Sequence, residues 1–126
     1  MLSCSMSKID DVTRLRHMLD AAREAQQFAS DKTRASLDQD RLLVLGIVKL
    51  VEIVGEAASK MTKAFQDAHP QIPWSAIIGM RNVLIHGYFE IDLDEVWSTL
   101  QKDLPPLIGQ LEAIVPPIDD QQDDTE

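Results

Sequence analysis

The segment between Ser36 and His69 is the feature that most constrains the fold of this chain. Apolar residues recur along it at the spacing of an α-helix, and between Leu42 and Val54 they occupy most sides of that helix. Pro70 ends the pattern because proline cannot continue a helix. At about 32 residues and roughly 48 Å, this predicted helix is the longest element, and we expect it to run through the middle of the structure.

The same periodicity predicts three further helices, over residues 8–29, 73–86 and 93–114. Capping-box patterns that begin at Ser7 and at Asp92 mark the starts of the first and the last of them. Pro105 and Pro106 each remove a backbone donor from the last helix, so we expect it to be kinked or divided into two pieces.

No stretch of the sequence alternates convincingly at the two-residue period of a β-strand. Helices joined by short loops predict an all-α fold, a four- to five-helix up-and-down bundle with a kinked last helix. We expect one helical domain over residues 8–115. Residues 1–7 are predicted to be a flexible extension, and residues 116–126 a disordered acidic tail.

The composition is that of one globular domain. Of the 126 residues, 44% are hydrophobic and 26% are charged, which argues against a disordered or fibrous chain. The single cysteine, Cys4, can form no internal disulfide and offers no metal framework. The opening residues lack the apolar run of a signal peptide, and no stretch is apolar over the length of a membrane span. We therefore expect a cytoplasmic protein with no membrane contact.

The net charge of −9 argues against a broad electrostatic surface for DNA or RNA. Five of these charges lie in the last eight residues, which leaves a mildly acidic body with a net charge of −4. The acidic tail residues are Asp119, Asp120, Asp123, Asp124 and Glu126. Contact with RNA would therefore need a small, concentrated basic site.

The segment from Met80 to Tyr88 contains the residues best suited to chemistry: Arg81, Asn82, His86 and Tyr88, the only tyrosine of the chain. On one continuous helix, Asn82 and His86 would share a face, because four residues make about one turn. Arg81 and His86 would diverge by roughly 140°. One straight helix therefore cannot direct all four groups at one atom. Either the chain bends at Gly87, or a second copy completes the site.

Histidine and arginine together suit the cleavage of RNA by its own 2′-hydroxyl. A histidine can accept and donate a proton near neutral pH, and an arginine can hold a phosphate with two hydrogen bonds. His86 would act as general base or acid, and Arg81 would stabilise charge on the phosphoryl oxygens, with no metal required. On the residues alone, a structural polar cluster at a subunit interface is the competing interpretation.

Two glutamates of the long helix, Glu52 and Glu56, lie one turn apart near Lys49 and Lys60. They are either solvated ion pairs or, with Glu56 as the candidate, neighbours of the active site. Gly55 lies between them in the helix interior, where glycine costs roughly 1 kcal/mol relative to alanine. A close helix crossing is the usual reason for a glycine there.

The sequence contains no glycine-rich phosphate loop, no His-Glu-x-x-His, no CxxC pair and no Gly-x-Ser-x-Gly. Two pairs of aspartates, Asp38 with Asp40 and Asp92 with Asp94, could be metal ligands. Helix caps explain both pairs better. We therefore expect neither a metal nor a cofactor.

The pattern Arg-x4-His-x-Tyr, from Arg81 through His86 to Tyr88, resembles the signature of HepT-like toxins in the HEPN superfamily of helical ribonucleases. The similarity covers roughly residues 9–111. It includes the segments Glu52-Ile53-Val54-Gly55-Glu56-Ala57-Ala58, Ile72-Pro73-Trp74 and Asp92-Leu93-Asp94-Glu95-Val96-Trp97. This order of motifs is more specific than Arg-x4-His alone.

The resemblance implies a homodimer of HEPN-like helical domains in which the two Arg-x4-His-x-Tyr motifs face each other across a cleft. It also implies a metal-independent endoribonuclease toxin that uses Arg81 and His86, with Asn82 and Tyr88 supporting the site. RNA would be the substrate, with tRNA as one candidate. The implied partner is a minimal nucleotidyltransferase antitoxin (MntA-like), which would transfer AMP from ATP to Tyr88.

An alternative of another class is a non-catalytic subunit that binds nucleotide or a partner in a nucleotidyltransferase complex. Arg81 and His86 would then contact the nucleotide or the transferase instead of cleaving RNA. The mildly acidic body favours this alternative to some extent, because a ribonuclease must attract a polyanion.

Overall fold

The computed structural model describes residues 10–87 and 90–116, and within them the chain is predominantly helical. The α-helices are α1 (Asp11–Phe28), α2 (Arg34–Gln39), α3 (Arg41–Ser59), α4 (Lys63–Ala68), α5 (Trp74–Ile78), α6 (Met80–Leu84), α7 (Leu93–Ser98) and α8 (Leu104–Ile114). A π-helical segment, Thr99–Asp103, joins α7 to α8, and two short strands, β1 (Ile85–His86) and β2 (Glu90–Ile91), follow α6. The predicted all-α class is confirmed, with this small hairpin as an addition.

Helix α3 forms the centre of the structure, as predicted. It packs along α1 and also contacts α2, α5, α6 and α7. Ile47, Val51 and Val54 on α3 are buried in the same hydrophobic core as Leu15 and Met18 of α1. Burial of such side chains stabilises a fold by roughly 1.5–3 kcal/mol each, so this contact fixes the position of α3.

The close helix crossing predicted at Gly55 is confirmed. A Cβ atom at this position would lie 3.1 Å from the carbonyl oxygen of Ile77 and 3.3 Å from that of Ile78, so only glycine lets α5 approach α3 so closely. The segment predicted as the third helix packs on α3. Its inward residues are Trp74, Ile77, Met80 and Leu84, all of them buried.

The prediction of one continuous helix from Ser36 to His69 is wrong, because the chain leaves helical geometry twice. Asp40 has φ −132° and ψ 88°, and its side chain accepts a hydrogen bond from the backbone N–H of Leu43 to begin α3. After Ser59, Thr62 begins α4 in the same way, by accepting from the N–H of Phe65. The side chains of aspartate and threonine compete with the helix for backbone N–H donors. The spacing of apolar residues gives no information about this competition.

The first helix begins at Asp11, and Asp10 caps it by accepting from the backbone N–H of Thr13 at 2.9 Å. The capping box predicted at Ser7 lies outside the described residues. The same is true of the predicted extension 1–7 and of the tail beyond Pro116. Asp11 also reaches across to the start of α4, where its carboxylate accepts from the N–H and the hydroxyl of Thr62 at 3.0 and 2.7 Å.

The last predicted helix is indeed divided. Pro105 and Pro106 occupy the first turn of α8, where a missing N–H costs nothing in hydrogen bonding. A proline ring also collides with the carbonyl four residues earlier in an α-helix. The wider π-helical turn at Thr99–Asp103 lies where this collision would occur, so the helix continues as two pieces. Among the described helices, none combines the length and the apolar character needed to cross a bilayer.

Candidate active site

The segment predicted as one helix over residues 73–86 is divided at Gly79 and ends early. Helix α5 stops at Ile78 and α6 runs only from Met80 to Leu84, after which Ile85 and His86 are extended. The inference that Asn82 and His86 share a helical face is therefore wrong. His86 leaves the helix because its segment pairs with a second strand.

The hairpin after α6 determines where His86 lies. Gly87 has φ +71°, the left-handed conformation that glycine adopts without steric cost, so the chain does bend at this residue, which is one of the two alternatives that the sequence leaves open. The strands are antiparallel, with His86 opposite Glu90. Beyond the strands, the backbone N–H of Asp92 donates to the carbonyl of Leu84 at 2.7 Å. The return of the chain thus places Asp92 beside the histidine.

Arg81 lies on α6, and its side chain, which is 38% exposed, extends toward α3. Nε of Arg81 lies 3.8 Å from Oε2 of Glu52, and Nη1 lies 3.5 Å from Oδ1 of Asn82. The other oxygen of Glu52 lies 3.4 Å from Nζ of Lys49. The guanidinium is therefore paired with a carboxylate yet remains accessible to an anion from solvent.

His86 is 58% exposed, and its Nε2 lies 3.1 Å from Oδ2 of Asp92. The hydrogen bond with His86 is the main reason that the pKa of Asp92 is lowered, and the backbone N–H of Glu95 lowers it further. Asp92 is therefore an ionised carboxylate at neutral pH. The imidazole has one edge bound to this anion and the rest open to solvent, as a proton-transfer group requires.

Glu56 pairs with Lys60 at 3.3 Å and is mostly exposed. Together with Glu52 it lines a cleft of about 330 Å³ between α1 and α3. Four groups that can be positively charged line the same cleft: Arg14, His17, Lys49 and Lys60. Glu52 thus lies between Arg81 and this cleft, which we call the basic cleft. Glu56 lies one turn further along α3, beside that cleft.

The cap interpretation of the aspartate pairs is half correct. Asp40 and Asp92 do cap helices, whereas Asp38 and Asp94 both bind Arg34, at 3.2 and 2.8 Å. Within residues 10–87 and 90–116, no three or more His, Cys, Asp or Glu side chains form a group that could hold a metal ion. Tyr88, the predicted modification site, lies outside the described residues.

Comparison with known proteins identifies the family. The family described as "Ribonuclease HepT-like" matches residues 18–114 of this chain, which is most of its length and includes Arg81 and His86. The chain belongs to the HepT-like ribonuclease family.

Individual relatives agree with this assignment. A Thermococcus cleftensis protein named "Probable ribonuclease HepT" is 36% identical over 75 residues, which are 60% of this chain and 68% of that protein. A protein of Caldanaerobacter subterraneus subsp. tengcongensis named "Putative RNase" is 38% identical over 77 residues, 61% of this chain and 69% of its own. A Methanocaldococcus jannaschii protein, also named "Putative RNase", is 29% identical over 109 residues, 86% of this chain and all of its own length. No solved structure matches the chain.

The sequence of this HepT-like chain predicted Arg81 and His86 but not the carboxylate that accompanies each of them. Asp92 was predicted only as a helix cap, although an acidic residue six positions beyond a histidine, across a glycine turn, is the signal that could have revealed the pair. The sequence offers Glu52, together with Glu56, as a possible neighbour of the active site, but it gives no sign of the contact with Arg81. That contact spans 29 positions and depends on the crossing of α3 with α5 and α6.

Proposed function

We propose that this chain is a metal-independent endoribonuclease toxin, with Arg81 and His86 as its catalytic residues. The observation that carries the proposal is the arrangement around α6 and β1 in a chain of the HepT-like ribonuclease family. Arg81 and His86 lie on consecutive elements, each beside a carboxylate and each with an accessible side chain. An anion-binding group and a proton-transfer group thus lie on neighbouring elements, and each is accessible to solvent.

In the proposed reaction, the 2′-oxygen of RNA attacks the adjacent phosphorus. His86 removes the proton of the 2′-hydroxyl as the O2′–P bond forms. The bond from phosphorus to the 5′-oxygen breaks, and that oxygen takes up a proton from water to leave as a hydroxyl, with a cyclic phosphate on the other product. Arg81 stabilises the negative charge that develops on the non-bridging phosphoryl oxygens. Asn82, beside Arg81, supports the position of the guanidinium.

The proposed assembly is a homodimer. The outer face of α3 exposes three apolar side chains at helical spacing, Leu42, Leu45 and Ile53, which are 80%, 42% and 36% exposed. Neighbouring apolar side chains on a surface are typical of protein interfaces. A second copy packed on this face would bring a second α3 close to the Arg81 contact at Glu52.

The proposed partner is a minimal nucleotidyltransferase antitoxin. It would transfer AMP from ATP to the phenolic oxygen of Tyr88, with release of pyrophosphate. Tyr88 follows His86 by two residues, so the added phosphate would compete with RNA for Arg81 and would add bulk near His86. Glu56, beside the basic cleft, belongs to the surroundings of the proposed site and has no catalytic role in it.

The test is the cleavage of total RNA and purified tRNA by the isolated protein in EDTA. Cleavage should persist with the chelator and disappear in His86→Ala and in Arg81→Ala. Circular dichroism is the control for folding of both variants, whose replaced side chains are partly exposed. If wild-type protein with unmodified Tyr88 cuts no RNA, the binding-subunit alternative replaces the ribonuclease.

Modification of Tyr88 requires a separate measurement. We expect intact mass spectrometry after incubation with the transferase and ATP to show added AMP, and peptide mapping to place it on Tyr88. Tyr88→Phe should retain RNA cleavage and escape modification. AMP on another residue would contradict this part of the proposal.

A further inference from the structure

The carboxylate of Asp92 is held on both of its oxygens. Oδ1 accepts from the backbone N–H of Glu95 at 3.1 Å, and Oδ2 lies 3.1 Å from Nε2 of His86. The backbone of the same residue is also fixed, through the hydrogen bond from its N–H to the carbonyl of Leu84. Because Leu84 is fully buried, the carboxylate is anchored to the core and not only to a surface turn.

The direction of the hydrogen bond between His86 and Asp92 follows from the charge of the carboxylate. An ionised carboxylate can only accept hydrogen bonds, so Nε2 of His86 must carry the proton and donate it. In the neutral ring, Nδ1 is then the nitrogen with the free lone pair. Among the described residues, His86 makes its side-chain hydrogen bond to Asp92 alone.

We propose that Asp92 is the positioning residue of His86 and that Nδ1 is the nitrogen that exchanges protons with RNA. This inference rests on the proposed ribonuclease function. Asp92 fixes the ring orientation and the tautomer, and it stabilises the imidazolium after Nδ1 has taken the proton of the 2′-hydroxyl. Asp92 itself remains ionised throughout, as a carboxylate paired with a catalytic histidine does in general.

The role of Asp92 as a helix cap can be separated experimentally from its contact with His86. As a helix cap, Asp92 can be replaced by asparagine, which is an equally good cap because its side-chain oxygen still accepts from the N–H of Glu95. Asparagine would also present an amide that can donate to the ring, so the Nε2–H tautomer would lose its preference. The Asp92→Asn variant thus separates the cap from the contact with His86.

Glu90 provides the matched control. It lies directly opposite His86 in the hairpin and carries the same charge as Asp92, so Glu90→Gln removes one negative charge from the same hairpin while keeping the hydrogen bond at Nε2. An effect of charge alone would appear in both variants. An effect of positioning would appear only in Asp92→Asn.

The first measurement is the nitrogen chemical shifts of the His86 ring in ¹⁵N-labelled protein. They are recorded at a pH high enough that a further increase no longer changes them, which shows that the ring is neutral. The signals are assigned by their loss in His86→Ala. We expect the Nε2–H tautomer in wild type and in Glu90→Gln, and the Nδ1–H tautomer or a mixture in Asp92→Asn. Wild type with Nδ1–H, or an unchanged tautomer in Asp92→Asn, would overturn the inference.

The second measurement is RNA cleavage. We expect kcat to fall at least about tenfold in Asp92→Asn with little change in KM, and to stay near the wild-type value in Glu90→Gln, since partners of this kind typically contribute 10- to 100-fold or more. Unchanged kcat in Asp92→Asn would also overturn the inference. If wild type cuts no RNA while the tautomer switches as expected, the proposed ribonuclease fails and the positioning of the ring by Asp92 is supported.

Discussion

The guanidinium of Arg81 lies 3.8 Å from the carboxylate of Glu52, and the same carboxylate lies 3.4 Å from the ammonium of Lys49. Glu52 therefore stands between two cations, one at the candidate active site and one on the wall of the basic cleft. An RNA phosphate that approaches Arg81 must compete with this carboxylate. If Arg81 binds RNA as proposed, we expect Glu52 to influence that binding.

We predict that Glu52→Gln strengthens RNA binding about two- to fivefold. The substitution keeps the size of the side chain and removes the charge that competes with phosphate, and partly exposed ion pairs contribute roughly 0.2–1 kcal/mol. Fluorescence anisotropy in a His86→Ala background measures affinity without cleavage. Glu56→Gln, which removes the same charge from the Lys60 pair one turn away, should change affinity less. Equal strengthening in both variants would indicate a general charge effect instead of competition at Arg81.

Substitution by alanine should have opposite effects on stability at two helical glycines, Gly55 at the crossing of α3 with α5 and Gly109 in α8. Gly55→Ala should destabilise the protein by about 1–3 kcal/mol, because its Cβ would press on the backbone oxygens of Ile77 and Ile78 and backbone cannot move away cheaply. Gly109→Ala in α8 meets nothing within 4 Å and should stabilise it by up to about 1 kcal/mol through helix propensity. Urea unfolding of both variants is the measurement. A stabilised Gly55→Ala would show that the crossing tolerates a side chain.

The pair of His86 with Asp92 predicts a pH dependence of stability. The pKa of Asp92 is lowered below 3.8 in the folded state, mainly by His86. Its contribution is therefore present above the unfolded-state pKa and is lost as the pH falls through the lower folded-state value. The difference in unfolding free energy between wild type and Asp92→Asn should shrink from pH 6 to pH 3. In a His86→Ala background this difference should depend less on pH, and equal slopes with and without His86 would contradict the pairing.

The exposed apolar face of α3 predicts the effect of charge on assembly. Leu42→Asp combined with Leu45→Asp should convert the proposed dimer into a monomer, because burial of a carboxylate in an apolar interface is costly. Size-exclusion chromatography with light scattering gives the mass, and circular dichroism confirms that the monomer is folded. A wild-type monomer would contradict the proposed dimer, and a dimer that survives both substitutions would place the interface elsewhere.

The sequence alone determined the helical class, the central position of α3, the close approach at Gly55 and the division of the last helix, and it offered the bend at Gly87 as one of two alternatives. Each of these follows from local causes: periodicity decides which side of a helix is buried, and glycine and proline restrict the backbone at their own positions. The residues of the family pattern are likewise local, and the match over residues 18–114 confirms the family.

The tertiary structure decided what periodicity could not register. A continuous apolar pattern extends past Asp40 and Thr62, yet the helix is interrupted at both places because each of these side chains caps a new helix. Thr62 is also bound by Asp11, which lies 51 positions earlier. His86 leaves the predicted helix because its strand pairs across Gly87. The contacts of Arg81 with Glu52 and of His86 with Asp92 could not be predicted from helical spacing. Each joins two residues that come together only in the folded chain.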